Sequence, residues 1–140
     1  MEAAQAMTDN PADGVPSGLL TGPAMRTVAM PADTNPAGDI FGGWVLAQMD
    51  VAGGIVAAQR ARGRVVTVAL ESMSFHKPIK VGDIVSCFAE VVSIRHTSLT
   101  VRVHTEVVRR ITGEPQTVTD GLFTYVALGD DGRPRPVDPA

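Results

Sequence analysis

The chain has 140 residues, 44% of them apolar and 19% charged, with a formal net charge of −3. That is the size of one domain with one sizeable core; the mild acidity excludes a general nucleic-acid surface, which would be basic, and no charge-free apolar run of roughly 18 residues offers a membrane span. One cysteine, Cys87, excludes an internal disulfide and suits a reducing cytoplasm, and within a strand-like run it reads as a core residue rather than a nucleophile.

Residues 1–16, rich in Ala, Pro, Asp and Gly, read as a flexible tail. Their Glu2, Asp9 and Asp13 do not make a basic-then-apolar secretion signal. A single domain is expected over 17–131. It opens with a strand around Leu19–Met30, interrupted at Gly22-Pro23, and continues into a polar loop over Pro31–Asp39. Asp39 or a nearby Gly is expected to cap the helix that follows. That helix spans Gly42–Ala61, apolar on every face of a 3.6-residue period, and closes on Arg60, Arg62 and Gly63, as the dipole and C-terminal glycine rules favour.

The remainder reads as β structure: Arg64–His76, Asp83–Ile94, Ser98–Arg109 and Thr117–Leu128. In the third of these, Leu99, Val101, Val103, Thr105 and Val107 share one face, and Thr100, Arg102, His104 and Glu106 the other. Gly82-Asp83, His96-Thr97 and Gly113-Glu-Pro115 mark the turns. Residues 132–140 follow turn chemistry at Gly129–Gly132 and read as an extended end. One apolar helix and about five antiparallel strands give an α+β domain in which a curved sheet wraps a long central helix. Strands this long leave an edge that asks for a partner, so a dimer joined edge to edge is expected.

Asp50 stands out because it is the one charge in the stretch from Phe41 to Ala58. An unpaired carboxylate in an apolar helix is costly, and buried acids of this kind serve proteins as general bases. The plainer reading is a carboxylate that pairs with a nearby donor and only helps packing. Gly42 and Gly43 open the same helix, where free N–H groups and the positive dipole end favour negative charge, and no Cβ blocks approach; alone they also fit a tight turn. His76, His96 and His104 lack metal-ligand spacing and read as structural or surface residues. There is no Gly-x-Ser-x-Gly elbow, dinucleotide fingerprint or phosphate loop. No metal or redox cofactor is implied.

The run Met30-Pro-Ala-Asp-Thr-Asn-Pro-Ala-Gly-Asp-Ile-Phe-Gly-Gly-Trp44 with Gln48-Met-Asp50 resembles the signature of the YciA-like acyl-CoA thioester hydrolases. Gly63-Arg-Val-Val-Thr-Val-Ala69, Met73-Ser-Phe-His-Lys-Pro78, Val81-Gly-Asp83 and Val118-Thr-Asp120 match as well, so the resemblance covers roughly Arg26 to Asp131. It implies the hotdog fold, a dimer with one continuous sheet, commonly a trimer of such dimers (a hexamer), and active sites at the dimer interface. It places the family's helix acid on Asp50, its loop Asn on Asn35 and its oxyanion-binding amides near Gly42 and Gly43. The expected partner is an acyl-CoA over a broad range of chain lengths, with coenzyme A as part of substrate and product rather than a cofactor.

Thioester hydrolysis needs a base for the attacking water and donors for the carbonyl oxygen. Gly42 and Asp50 lie roughly 12 Å apart along one helix, too far to serve one carbonyl. The site is therefore expected to take its amides from one chain and its carboxylate from the mate, with Asp50 activating water or attacking directly. Asn35 would orient water or the carbonyl; an Asn turn before Pro36 is its plainer role. CoA phosphates call for cations at the mouth. Arg64, Lys77, Lys80 and Arg95 are candidates, with Thr97 and Ser98 as hydroxyl donors, and Phe75 and Met73 could line the channel. Two other functions suit the same fold: a silent acyl-CoA binding or sensing subunit, which has no need of Asn35 with Asp50, and an enoyl-CoA hydratase, which would want a histidine beside its acid.

Overall fold

A computed structural model describes residues 22–139 of the chain. Five antiparallel strands form one open, curved sheet in the order β1-β3-β4-β5-β2. They are β1 (Met25–Val28), β2 (Val65–Phe75), β3 (Ile84–Ile94), β4 (Ser98–Val108) and β5 (Pro115–Ala127), and the helix α1 spans Gly42–Ala61. The expected helix and the four long strands are present. The first strand is shorter than Leu19–Met30: residues 19–21, like the 1–16 tail, lie outside the described residues, and at its other end Pro31 starts a 3-10 turn over Pro31–Asp33.

Alternation does what the sequence implied in β4, where Leu99, Val101, Val103, Thr105 and Val107 are all buried. They meet Phe123 and Tyr125 of β5 and the Val45, Met49, Ala52 and Ala57 side of α1. Small residues on that side bring the helix axis close to the sheet. Cys87 is buried in the same core beside Thr105, and burial raises its thiol above the ordinary value, which opposes thiolate chemistry.

Both helix ends differ from expectation. Asp39 does not cap α1, because its carboxylate ion-pairs with Lys80 from the β2–β3 connection. Phe41 takes the N-cap position and offers no side-chain hydrogen bond. At the other end the left-handed residue is Arg62 (φ 57°), not Gly63. Gly63 is required for a different reason. A Cβ there would lie 2.6 Å from Nη2 of Arg135, which donates to the Ala61 carbonyl at 2.7 Å and closes the helix.

Arg135 belongs to the 132–140 end, placed by the sequence outside the domain as an extended end. In the structure that end folds back. Leu128 and Pro134 form a bridge, and Val137 is buried in the core. A proline-rich segment cannot extend the sheet, but it can carry one apolar and one cationic side chain to waiting partners. Arg135 also donates to the carbonyls of Leu128 (3.2 Å) and Pro136 (3.0 Å). Arg135→Ala should therefore cost about 1.5–3 kcal/mol of stability, the range for charged donors to carbonyls, read as a lower urea midpoint at unchanged slope.

The sheet has two unequal edges. β1 is four residues long. β2, at the other edge, is eleven residues long with almost every residue exposed, including Val66, Val68 (56% exposed), Leu70 and Phe75. It carries irregularities between Thr67 and Ala69 and between Glu71 and Ser74. The second holds Ser72 in the left-handed region (φ 57°) and seats the Met73 methyl 2.5 Å from where a Cβ on Gly121 would stand.

Candidate active site

The tip of α1 opens into a cleft of about 270 Å³ lined by Ile40, Gly42, Val45, Phe75, His76, Lys77, Pro78, Ile79, Val118 and Thr119. With no side-chain cap, the amides of Gly42, Gly43 and Trp44 have no acceptor among the described residues. Three N–H groups and the positive dipole end thus face open space, an arrangement that binds a negatively charged oxygen.

The loop before the tip is held by Asn35. Its Oδ1 accepts from the amides of Ala37 and Asp39, both at 3.0 Å, while its own amide donates to the Asp39 carbonyl at 2.6 Å. This is the Asn turn expected of the residue before a proline. It uses the carbonyl end of the side chain and leaves the Nδ2 end to donate elsewhere.

Asp50 lies outside this cleft, on the side of α1 that faces β2 and β5. It is half-buried and paired with nearby donors, as the plainer of the two sequence readings had it. Thr67 donates to its Oδ1 at 2.7 Å, and the Tyr125 hydroxyl lies 3.0 Å from both Oδ1 and the Asp50 carbonyl oxygen. Oδ2 receives no hydrogen bond among the described residues, so half of the carboxylate is committed and half is open. The neighbouring exposed residue on the helix is Val51 (53% exposed), and the neighbouring strand is the unpaired β2.

The cation candidates divide between the two ends of the sheet. Lys77 and Phe75 line the cleft at the helix tip, with Lys77 3.5 Å from Gln116. Lys80 is near the same end but spends its charge on Asp39. Arg64, Arg95, Thr97 and Ser98 gather at the opposite end, where Ser98 pairs with Val126, Val65 with Ala127, and Arg95 donates to Ser98. An eleven-residue strand, roughly 35 Å long, separates the two groups within one chain. Of the histidines, His76 sits at the cleft 3.4 Å from Asp120, His96 is exposed at the β3–β4 turn, and His104 stacks on Phe88 on the outer face.

Sequence reasoning missed Thr67, Tyr125 and Gly53. Signals for the last two were present: Tyr125 is the chain's one tyrosine, on the apolar face of a strand, and Gly53-Gly54 interrupts a helix that has no need of glycine for propensity. A Cβ on Gly53 would stand 2.4 Å from the Tyr125 hydroxyl. Burial, and then the Asp50 charge beside it, raises the Tyr125 phenol far above its ordinary value, so it remains a donor at any working pH.

The sequence pattern of the thioesterase superfamily matches residues 37–110. Acyl-CoA thioester hydrolase YciA of Salmonella typhimurium is 46% identical over 129 residues, covering 89% of this chain and 94% of that protein. Among solved structures, a hexameric thioesterase from Yersinia pestis is 46% identical with a TM-score of 0.79, over 84% of this chain and 96% of the other. A hexameric hotdog fold thioesterase of Campylobacter jejuni is 42% identical with a TM-score of 0.79, over 84% and 90%.

Proposed function

The chain belongs to the thioesterase superfamily, with the hotdog fold, and is an acyl-CoA thioester hydrolase; we propose that Asp50 is its general base and the α1 tip its oxyanion hole, brought together across a dimer interface. The observation that carries this reading is the half-open carboxylate of Asp50, placed beside an unpaired strand and well away from its own helix tip.

The proposed dimer pairs β2 with β2 of a second copy in antiparallel fashion. That satisfies the long open edge and covers Val66, Val68 and Val51. A two-fold axis of this kind lays the Arg64 end of one β2 beside the Phe75 end of the other. Arg64, Arg95, Thr97 and Ser98 of one protomer then approach Lys77 and the helix tip of its mate, and the two separated groups become one mouth for the phosphates of CoA. The hexameric relatives support further assembly of such dimers.

In this site the thioester carbonyl accepts from the amides near Gly42 and Gly43. Asp50 Oδ2 takes a proton from water as the water oxygen bonds to the carbonyl carbon, and the carbonyl π electrons move onto oxygen. The tetrahedral oxyanion is held by amides already in place. It collapses with cleavage of the C–S bond, and the CoA sulfur recovers the proton from Asp50. Asn35 Nδ2 orients the water or the carbonyl. The balance is acyl-CoA and water to carboxylic acid and CoA, with no metal or redox group required.

The test is thiol release from acyl-CoAs of several chain lengths by wild type and Asp50→Asn. Turnover by the first and its loss in the second supports the reading. Binding without thiol release by wild type would make the protein a silent acyl-CoA binder, and hydration of an enoyl-CoA without thiol release would make it a hydratase. Single turnover in 18O-water should put the label in the product acid. Label in the Asp50 side chain instead would show direct attack through an anhydride.

A further inference from the structure

We propose that Thr67 and Tyr125 are positioning residues for the reaction: their two hydroxyls hold Oδ1 of Asp50 and leave Oδ2 as the one atom turned to the water. The proposal rests on Asp50 being the base and adds what makes it a directed one.

The clamp is built by strand register. Thr67 of β2 and Tyr125 of β5 are direct cross-strand partners, so both side chains leave the sheet on the same face. The register shift that follows Thr67 bends the edge strand at that point, and bulges of this type re-aim side chains. Both hydroxyls then reach the same oxygen, at 2.7 and 3.0 Å. Tyr125 is 1% exposed, so its phenol must find a partner, and it finds Asp50, whose Oδ1 and main-chain carbonyl oxygen each lie 3.0 Å away.

The helix is adapted to this contact. Gly53 lies on the turn after Asp50, where any Cβ would overlap the phenol oxygen at 2.4 Å. A mid-helix glycine is unfavourable on propensity alone. Its presence here is explained by the hydroxyl it admits. A carboxylate free to spin about its χ2 angle offers either oxygen in many directions, whereas two donors on Oδ1 fix the plane of the group and the direction of Oδ2.

The experiment compares Tyr125→Phe, Thr67→Val and Thr67→Ser, each in the wild-type and the Asp50→Asn background. Misdirecting a base by a fraction of an ångström predicts a roughly 10-fold loss of kcat in Tyr125→Phe and in Thr67→Val, with KM unchanged and Thr67→Ser near wild type. In the Asp50→Asn background the same substitutions should cost nothing further, because no base is left to direct. Wild-type kcat in both Tyr125→Phe and Thr67→Val would overturn the proposal, as would equal losses in the two backgrounds. Full activity in Asp50→Asn itself would instead remove the base assignment.

Discussion

Asp50→Asn should lower kcat by at least about 100-fold, the scale for a positioned general base, while KM for acyl-CoA and the fold stay as they are. The asparagine side chain keeps an oxygen where Oδ1 accepts from Thr67 and Tyr125, so the local hydrogen bonds survive. Only the basic Oδ2 is replaced. Asp50→Ala is a harsher change, since it also leaves the buried Tyr125 hydroxyl without a side-chain acceptor, though the Asp50 carbonyl oxygen remains 3.0 Å away. The two variants should therefore share the kinetic defect and differ in stability, Asp50→Ala being lower by about 1–3 kcal/mol. An Asp50→Asn enzyme with full kcat would show that the carboxylate is a packing element and no more.

The second large effect concerns the β2 edge. Val66→Lys with Val68→Lys should convert the assembly into folded monomers and lower kcat/KM by about 100-fold or more, the scale set by losing an oxyanion-hole donor. Both side chains are exposed in the single chain, so the protomer has no reason to unfold. Lysines on an edge strand block strand addition, so the second copy loses its docking edge. Light scattering on the eluted protein reads the mass, circular dichroism the fold, and thiol release the activity. A monomer with wild-type turnover would mean that one chain holds a complete site.

The parts of this fold that were readable from the sequence are those in which each segment decides its own state. α1 was legible because an apolar stretch with Asp50 as its one charge runs from the Gly42-Gly43 start to the basic end at Arg60 and Arg62. β4 was legible because its alternation is strict. What was hidden depends on two segments at once. Asp39 is a sound cap by local chemistry, yet Lys80, 41 residues on, holds its carboxylate and leaves the helix tip bare. That bare tip is what makes the amides near Gly42 available, so the failed cap is part of the candidate site. Thr67 and Tyr125 are 58 residues apart in the chain, and only the register of β2 against β5 sets them side by side. Val137 and Arg135 were hidden for a similar reason, since a proline-rich end gives no sign of the core position or the helix carbonyl that receives them.

The separation of Asp50 from the α1 tip also explains why the site could not be read from one chain's periodicity. The most direct test is complementation between two inactive chains. One carries Asp50→Asn with an intact helix tip. The other carries Gly42→Val, which obstructs the tip and keeps Asp50; the nearest neighbour of a Cβ there is Phe75 at 3.9 Å, so the fold has room for it. Co-refolded at equal amounts and mixed at random, half the dimers are hybrids with one intact site each, so about one quarter of wild-type activity should return. Activity no greater than the sum of the two parents would contradict a site shared between subunits.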